Sequence, residues 1–96
     1  MTPDVIFEYS PAALRDLKEY KRGHDSESIT RIGEIQREIV RTWPEPEGRF
    51  APERLKGTLS GHFSRRVNRK DRYVYSIDED RISVYVIQCK GHYSDR

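Results

Sequence analysis

The chain has 96 residues, 34% of them hydrophobic, 10% aromatic and 35% charged, which suits one small packed core and leaves no length for a second domain. A single cysteine, Cys89, excludes an internal disulfide framework. No apolar run approaches the roughly 20 residues that span a bilayer, and the amino terminus lacks the basic and apolar regions of a secretory leader, so one soluble, cytoplasmic domain over residues 1–96 is expected, without membrane association.

The net charge of +2 conceals an asymmetry: residues 1–48 hold seven Lys/Arg against ten Asp/Glu, whereas residues 49–96 hold eleven against six. The second half is therefore the candidate for an anionic partner.

Val5-Ile6-Phe7-Glu8-Tyr9 has the β-branched and aromatic content of a short strand, and Ser10-Pro11 reads as a helix N-cap followed by proline at the first helical position. In that helix Leu14 and Leu17 mark an apolar face, with Ala13 and Tyr20 beside it, and Gly23 supplies the stop. A second helix starts at Asp25 or Ser26. Ile29, Ile32, Ile35 or Gln36, Ile39 and Val40 recur in it at helical spacing, while Arg31, Glu34, Arg37, Glu38 and Arg41 form an ordinary solvated face. Residues 43–52 hold Pro44, Pro46, Gly48 and Pro52 and make a loop. Four alternating segments follow, 55–59, 63–67, 72–77 and 82–88, separated by turn residues as in an antiparallel meander. The predicted order is β-α-α-β-β-β-β, an α+β fold with two helices on one face of a mostly antiparallel sheet.

Strand parity sends Phe63 and Val67 inward and Ser64 and Arg66 outward; Arg65 shares the inward parity, which suits an edge or a bulge. Arg72, Val74 and Ser76 oppose Tyr73, Tyr75 and Ile77, so Arg66 and Arg72 are expected together on the exposed sheet face, where two guanidiniums can grip phosphate. Near the ends of this half stand Glu53 and the pair His92-Tyr93. Metal-free RNA cleavage needs a base for the ribose 2′-OH, cations for the charge on phosphorus and an acid for the leaving 5′ oxygen, and these residue types supply all three. His24, His62, His92 and Cys89 show no ligand spacing, so neither a metal nor another cofactor is expected, and no glycine pattern matches a phosphate-binding loop. Read from the residues alone, a capping glutamate and solvated arginines explain the same pattern.

Four ordered blocks, Pro52-Glu53-Arg54-Leu55-Lys56, Leu59-Ser60-Gly61-His62-Phe63-Ser64-Arg65-Arg66-Val67, Asp71-Arg72-Tyr73-Val74-Tyr75 and His92-Tyr93, resemble the Txe/YoeB branch of the RelE/ParE toxin superfamily. The resemblance implies a RelE-like small RNase fold and the toxin of a bacterial type II toxin-antitoxin pair. Such a toxin is a ribosome-dependent, metal-independent mRNA endoribonuclease that cuts in the A site by 2′-OH attack and stops translation. It further implies Glu53 as general base, Arg72 as transition-state stabiliser and His92 as general acid with Tyr93 beside it in the catalytic set. Lys56, Arg65 and Arg66 match the basic residues that hold RNA. The implied partners are a YefM-like antitoxin, the 70S ribosome with its mRNA, promoter DNA through the antitoxin complex, and a second toxin copy, since dimers occur in the family. The chain departs from the usual pattern at Lys90-Gly91, where an arginine and an aromatic are common, at Phe63, where tryptophan is common, and in Ser94-Asp95-Arg96 after Tyr93. Two other classes compete: a ParE-like toxin that binds a protein target such as DNA gyrase, which lacks this acid-base set, and a non-catalytic RNA-binding module.

Overall fold

In the computed structural model, which describes residues 3–91, β1 (Ile6–Tyr9) leads through Ser10 into α1 (Pro11–Arg22). The Ser10 hydroxyl accepts the Ala13 N–H at 3.1 Å and donates to the Ile87 carbonyl at 3.2 Å, so one side chain caps the helix and ties its start to the sheet. Asp25 caps α2 (Ser26–Thr42), accepting from both the N–H and the hydroxyl of Ser28. After the loop come β2 (Glu53–Arg54), β3 (Phe63–Arg66), β4 (Arg72–Asp78) and β5 (Ser83–Gln88). The strand order is β1-β5-β4-β3-β2: the later four form the predicted antiparallel meander, and β1 joins at the far side, parallel to β5.

The core lies between the helices and one sheet face, where Ala13, Tyr20, Ile32, Ile35 and Ile39 pack with Tyr73, Tyr75, Val84 and Val86. Each fully buried aliphatic side chain there contributes about 1.5–3 kcal/mol. The apolar stripes are rotated slightly from the sequence reading. Leu14 and Ile29 stay 49% and 37% exposed, while Ala13, small enough to let α1 approach the sheet, is fully buried. Glu38, assigned to the solvated face, is buried as well.

The strand expected at 55–59 is also corrected. Pairing on that edge covers only Glu53 and Arg54, and Gly57–Leu59 forms a 3-10 turn entered by Gly57 at φ 66°. A left-handed residue ends an extended run, although buried Leu55 still donates its N–H to the His62 carbonyl.

Candidate active site

The loop at 43–52 is pinned from both layers of the fold. Glu38 on α2 accepts two N–H groups of Arg41, at 2.9 and 2.7 Å, and the backbone N–H of Arg49 at 2.8 Å. These bonds, Arg41's first among them, outweigh burial and hold the Glu38 carboxyl down at about 2. From the sheet side, the Arg66 N–H donates to Phe50 O and Arg72 Nη2 donates to Ala51 O, each at 2.7 Å. Between these anchors Phe50 and Ala51 take φ values of 71° and 50°, a left-handed conformation that stores about 1–3 kcal/mol per non-glycine residue. The Phe50 ring also lies within 4.7 Å of the Arg31 guanidinium and 4.6 Å of that of Arg49. Together these restraints deliver Glu53 to the sheet edge, where it pairs in register with Ser64.

Opposite Glu53 sits Arg72. Its Nη2 is 3.7 Å from Glu53 Oε1, and Ser64 Oγ accepts from both Nε and Nη2, at 3.1 and 2.7 Å. The guanidinium is thus fixed by a hydroxyl, a carbonyl and a carboxylate; Arg72 is 1% exposed, whereas the Glu53 side chain is 48% exposed. A fixed, buried cation behind a solvent-accessible carboxylate sets a positive field where that carboxylate can take a proton from a neighbouring hydroxyl.

Arg66 is the register partner of Arg72 and lies exposed on the same face, its Nη1 donating to Arg69 O at 3.2 Å. The shared face was legible in the parity, but its openness at Arg72 was not: that residue is buried under Ser64, Ala51 and Glu53 rather than displayed. Arg65 needs a larger correction. It pairs regularly with Tyr73, with no bulge there, and is fully buried on the helix side. Its guanidinium donates to Tyr75 Oη, Arg49 O and Thr42 Oγ1 at 3.1, 3.0 and 3.2 Å, so it staples the loop and is withdrawn from any RNA phosphate. Lys56 is exposed at the cap of the 3-10 turn, two residues beyond β2.

The expected acid and aromatic, His92 and Tyr93, lie outside the described residues. The last described residue, Gly91, accepts the Arg72 N–H with its carbonyl at 3.0 Å and donates its own N–H to Asp71 Oδ1 at 2.8 Å. Burial alone would raise the Asp71 carboxyl, but the bonds from Gly91, Tyr20 and Asn68 overcome that and keep it below its ordinary value. Sequence reading did not single out Ser64, Glu38, Asp16 or Asp71 for roles of their own. Ser64 carried a signal in its parity, which matches that of Arg66, and both Ser64 and Asp71 stand inside the family-like blocks.

The architecture is a small α+β fold, a five-stranded, mostly antiparallel sheet carrying two helices. A YoeB–YefM toxin-antitoxin complex of Staphylococcus aureus contains a chain 33% identical to this one with a TM-score of 0.81, covering 95% of this chain and 100% of that one. A YoeB dimer from the same organism matches with a TM-score of 0.83 at 33% identity, over 95% and 100% of the two chains. Residues 9–93 match the family described as YoeB-like toxin of bacterial type II toxin-antitoxin system, and Toxin YoeB of Escherichia coli is 36% identical over 74 residues, 77% of this chain and 83% of that protein. The chain belongs to the YoeB-like toxin family.

Proposed function

We propose that this toxin is a ribosome-dependent endoribonuclease that cuts mRNA in the A site through attack of the ribose 2′-OH, with no metal in the reaction. The observation that carries the reading is the approach of Glu53 Oε1 to the fixed guanidinium of Arg72, 3.7 Å apart, on a basic half of the chain. Glu53 takes the 2′-OH proton, and the oxygen attacks the adjacent phosphorus. Arg72 stabilises the negative charge that builds on the phosphoryl oxygens, because it needs no reorganisation when the charge appears. His92 gives a proton to the departing 5′ oxygen as the P–O5′ bond breaks, leaving a 2′,3′-cyclic phosphate and a 5′-hydroxyl. That the carbonyl of Gly91, its chain neighbour, holds the Arg72 N–H supports this assignment of His92. Tyr93 acts beside it, and exposed Lys56 and Arg66 grip the RNA backbone; Arg65 has a structural role instead.

The partner that restrains this activity is a YefM-like antitoxin, a reading supported by the Staphylococcus aureus YoeB–YefM complex; that organism's YoeB dimer supports self-association. The antitoxin complex is what brings the toxin to promoter DNA, and the toxin acts in the cytoplasm. Among the described residues no helix is long and apolar enough to cross a membrane.

Cleavage of a programmed ribosomal complex tests the reaction. The expected products carry a 2′,3′-cyclic phosphate and a 5′-hydroxyl, and a message with 2′-deoxyribose at the scissile residue stays whole. Cutting of that deoxy message, or 5′-phosphate ends, would overturn the mechanism. Growth arrest with intact mRNA and a DNA-damage response would favour the gyrase-binding class.

A further inference from the structure

Past β5 the chain stays tightly held, but by side chains. Three consecutive backbone N–H groups are taken by two carboxylates from distant elements: Asp16 Oδ2 on α1 accepts from Cys89 at 2.9 Å and Lys90 at 3.1 Å, and Asp71 Oδ1 accepts from Gly91 at 2.8 Å. Hydrogen bonds to ionised acceptors are about twice as strong as neutral ones. Asp71 is itself immobilised, because its second oxygen accepts the Tyr20 hydroxyl at 2.7 Å and Asn68 Nδ2 at 3.0 Å. The Tyr20 hydroxyl also reaches Cys89 O at 2.8 Å, and Lys90 Nζ sits 4.9 Å from the Tyr20 ring centroid and 3.8 Å from Glu19 Oε1. With Gly91 O then accepting the Arg72 N–H, the segment is fixed to helix, turn and active-site strand one residue before His92.

We infer that Asp16 and Asp71 form a clasp on the carboxyl-terminal segment and serve RNA cleavage as positioning residues that act through His92. The inference rests on the assignment of His92 as general acid. A polar side chain facing solvent from mid-α1 would be interchangeable with alanine; one that fixes the approach of an acid would not, since a misplacement of about 1 Å can lower a rate by about 100-fold.

Asp71 is built into the core, so the deciding variants are at half-buried Asp16. Asp16→Ala is expected to lower the single-turnover cleavage rate on programmed ribosomes by about 10-fold at saturating toxin, with half-saturation changed less than about 2-fold. Asp16→Asn, which keeps an oxygen at the acceptor position, restores most of the rate. Combined with His92→Ala, Asp16→Ala causes no further loss, because both changes remove one function. Amide exchange followed by NMR quickens at Cys89 and Lys90 by about 10-fold or more in Asp16→Ala, while the β4 amides from Tyr73 onward are unaffected. Losses that multiply in full, or unchanged exchange at those amides, would overturn the clasp. Should His92→Ala alone cut at the unmodified rate, the general-acid assignment falls, and the exchange rates still decide whether Asp16 holds the segment.

Discussion

A guanidinium removed from water is unfavourable unless its N–H groups are matched, and Ser64 does much of that matching for Arg72. Replacing Ser64 by alanine leaves two buried donations without their acceptor, so Ser64→Ala is expected to destabilise the fold by about 1–3 kcal/mol and to slow cleavage by about 10-fold through loss of orientation; urea unfolding and single-turnover kinetics check the two effects. Arg72→Lys keeps the charge but loses the planar fork, and should slow cleavage by 100-fold or more, on the order of losing one oriented donor to a developing anion. Parity placed Arg72 and Arg66 on a common face. It could not reveal that one is sealed and the other exposed, because that difference comes from the loop folding over Arg72, a long-range event. Arg65 illustrates the same limit. An arginine at an apolar position is unreadable until its three acceptors, from α2, the loop and β4, are assembled around it.

At the scale of elements, the loop at 43–52 works as a rigid arm for Glu53. Gly48, at φ 94°, is its tightest point: a Cβ there would lie 2.2 Å from Glu38 Oε2 and 3.1 Å from Thr42 Cγ2. Gly48→Ala is therefore expected to destabilise by about 2 kcal/mol or more, from the clash and the left-handed backbone together, and to reduce activity beyond what the unfolded fraction explains. The same anchor has a pH signature. The Glu38 carboxyl, at about 2 in the folded chain against 4.5 ordinarily, adds stability that is complete above 4.5 and is lost as pH falls toward 2. With Arg41 63% exposed, solvent screening limits that contribution to about 1–2 kcal/mol. Urea midpoints across pH 2–6 should show the acid limb flattened in Glu38→Gln. The helix caps, the proline-rich loop and the meander were legible because each follows from local spacing and turn chemistry. The 55–59 segment was not, since its alternation resembles a strand while the paired edge stops after two residues.

For the whole molecule, the charge asymmetry of the sequence becomes a partial division of labour: the amino-terminal half supplies both helices with Glu38 and Asp16, which anchor the loop and the carboxyl-terminal segment, and the basic half supplies the meander, Asp71 and the exposed cations Lys56 and Arg66. Binding to ribosomes through those cations should weaken steeply as salt rises, and Arg66→Ala should reduce the salt slope by about one, measurable by co-sedimentation. The fold class was readable from the order of the elements, and the family resemblance named the residues to watch. What neither disclosed is the support around them: buried Glu38 and Arg65 holding the loop, Ser64 bonded to Arg72, and two aspartates holding the segment that leads to His92.

The joint action of Glu53 and His92 on one phosphodiester is tested most directly by single-turnover cleavage of ribosome-bound mRNA with the Glu53→Gln/His92→Ala double variant, its folding checked by urea titration. Loss of an acid and a base each worth about 100-fold predicts cleavage reduced by about 10,000-fold in a normally folded protein. A folded double variant that cuts the message at the unmodified rate would contradict it.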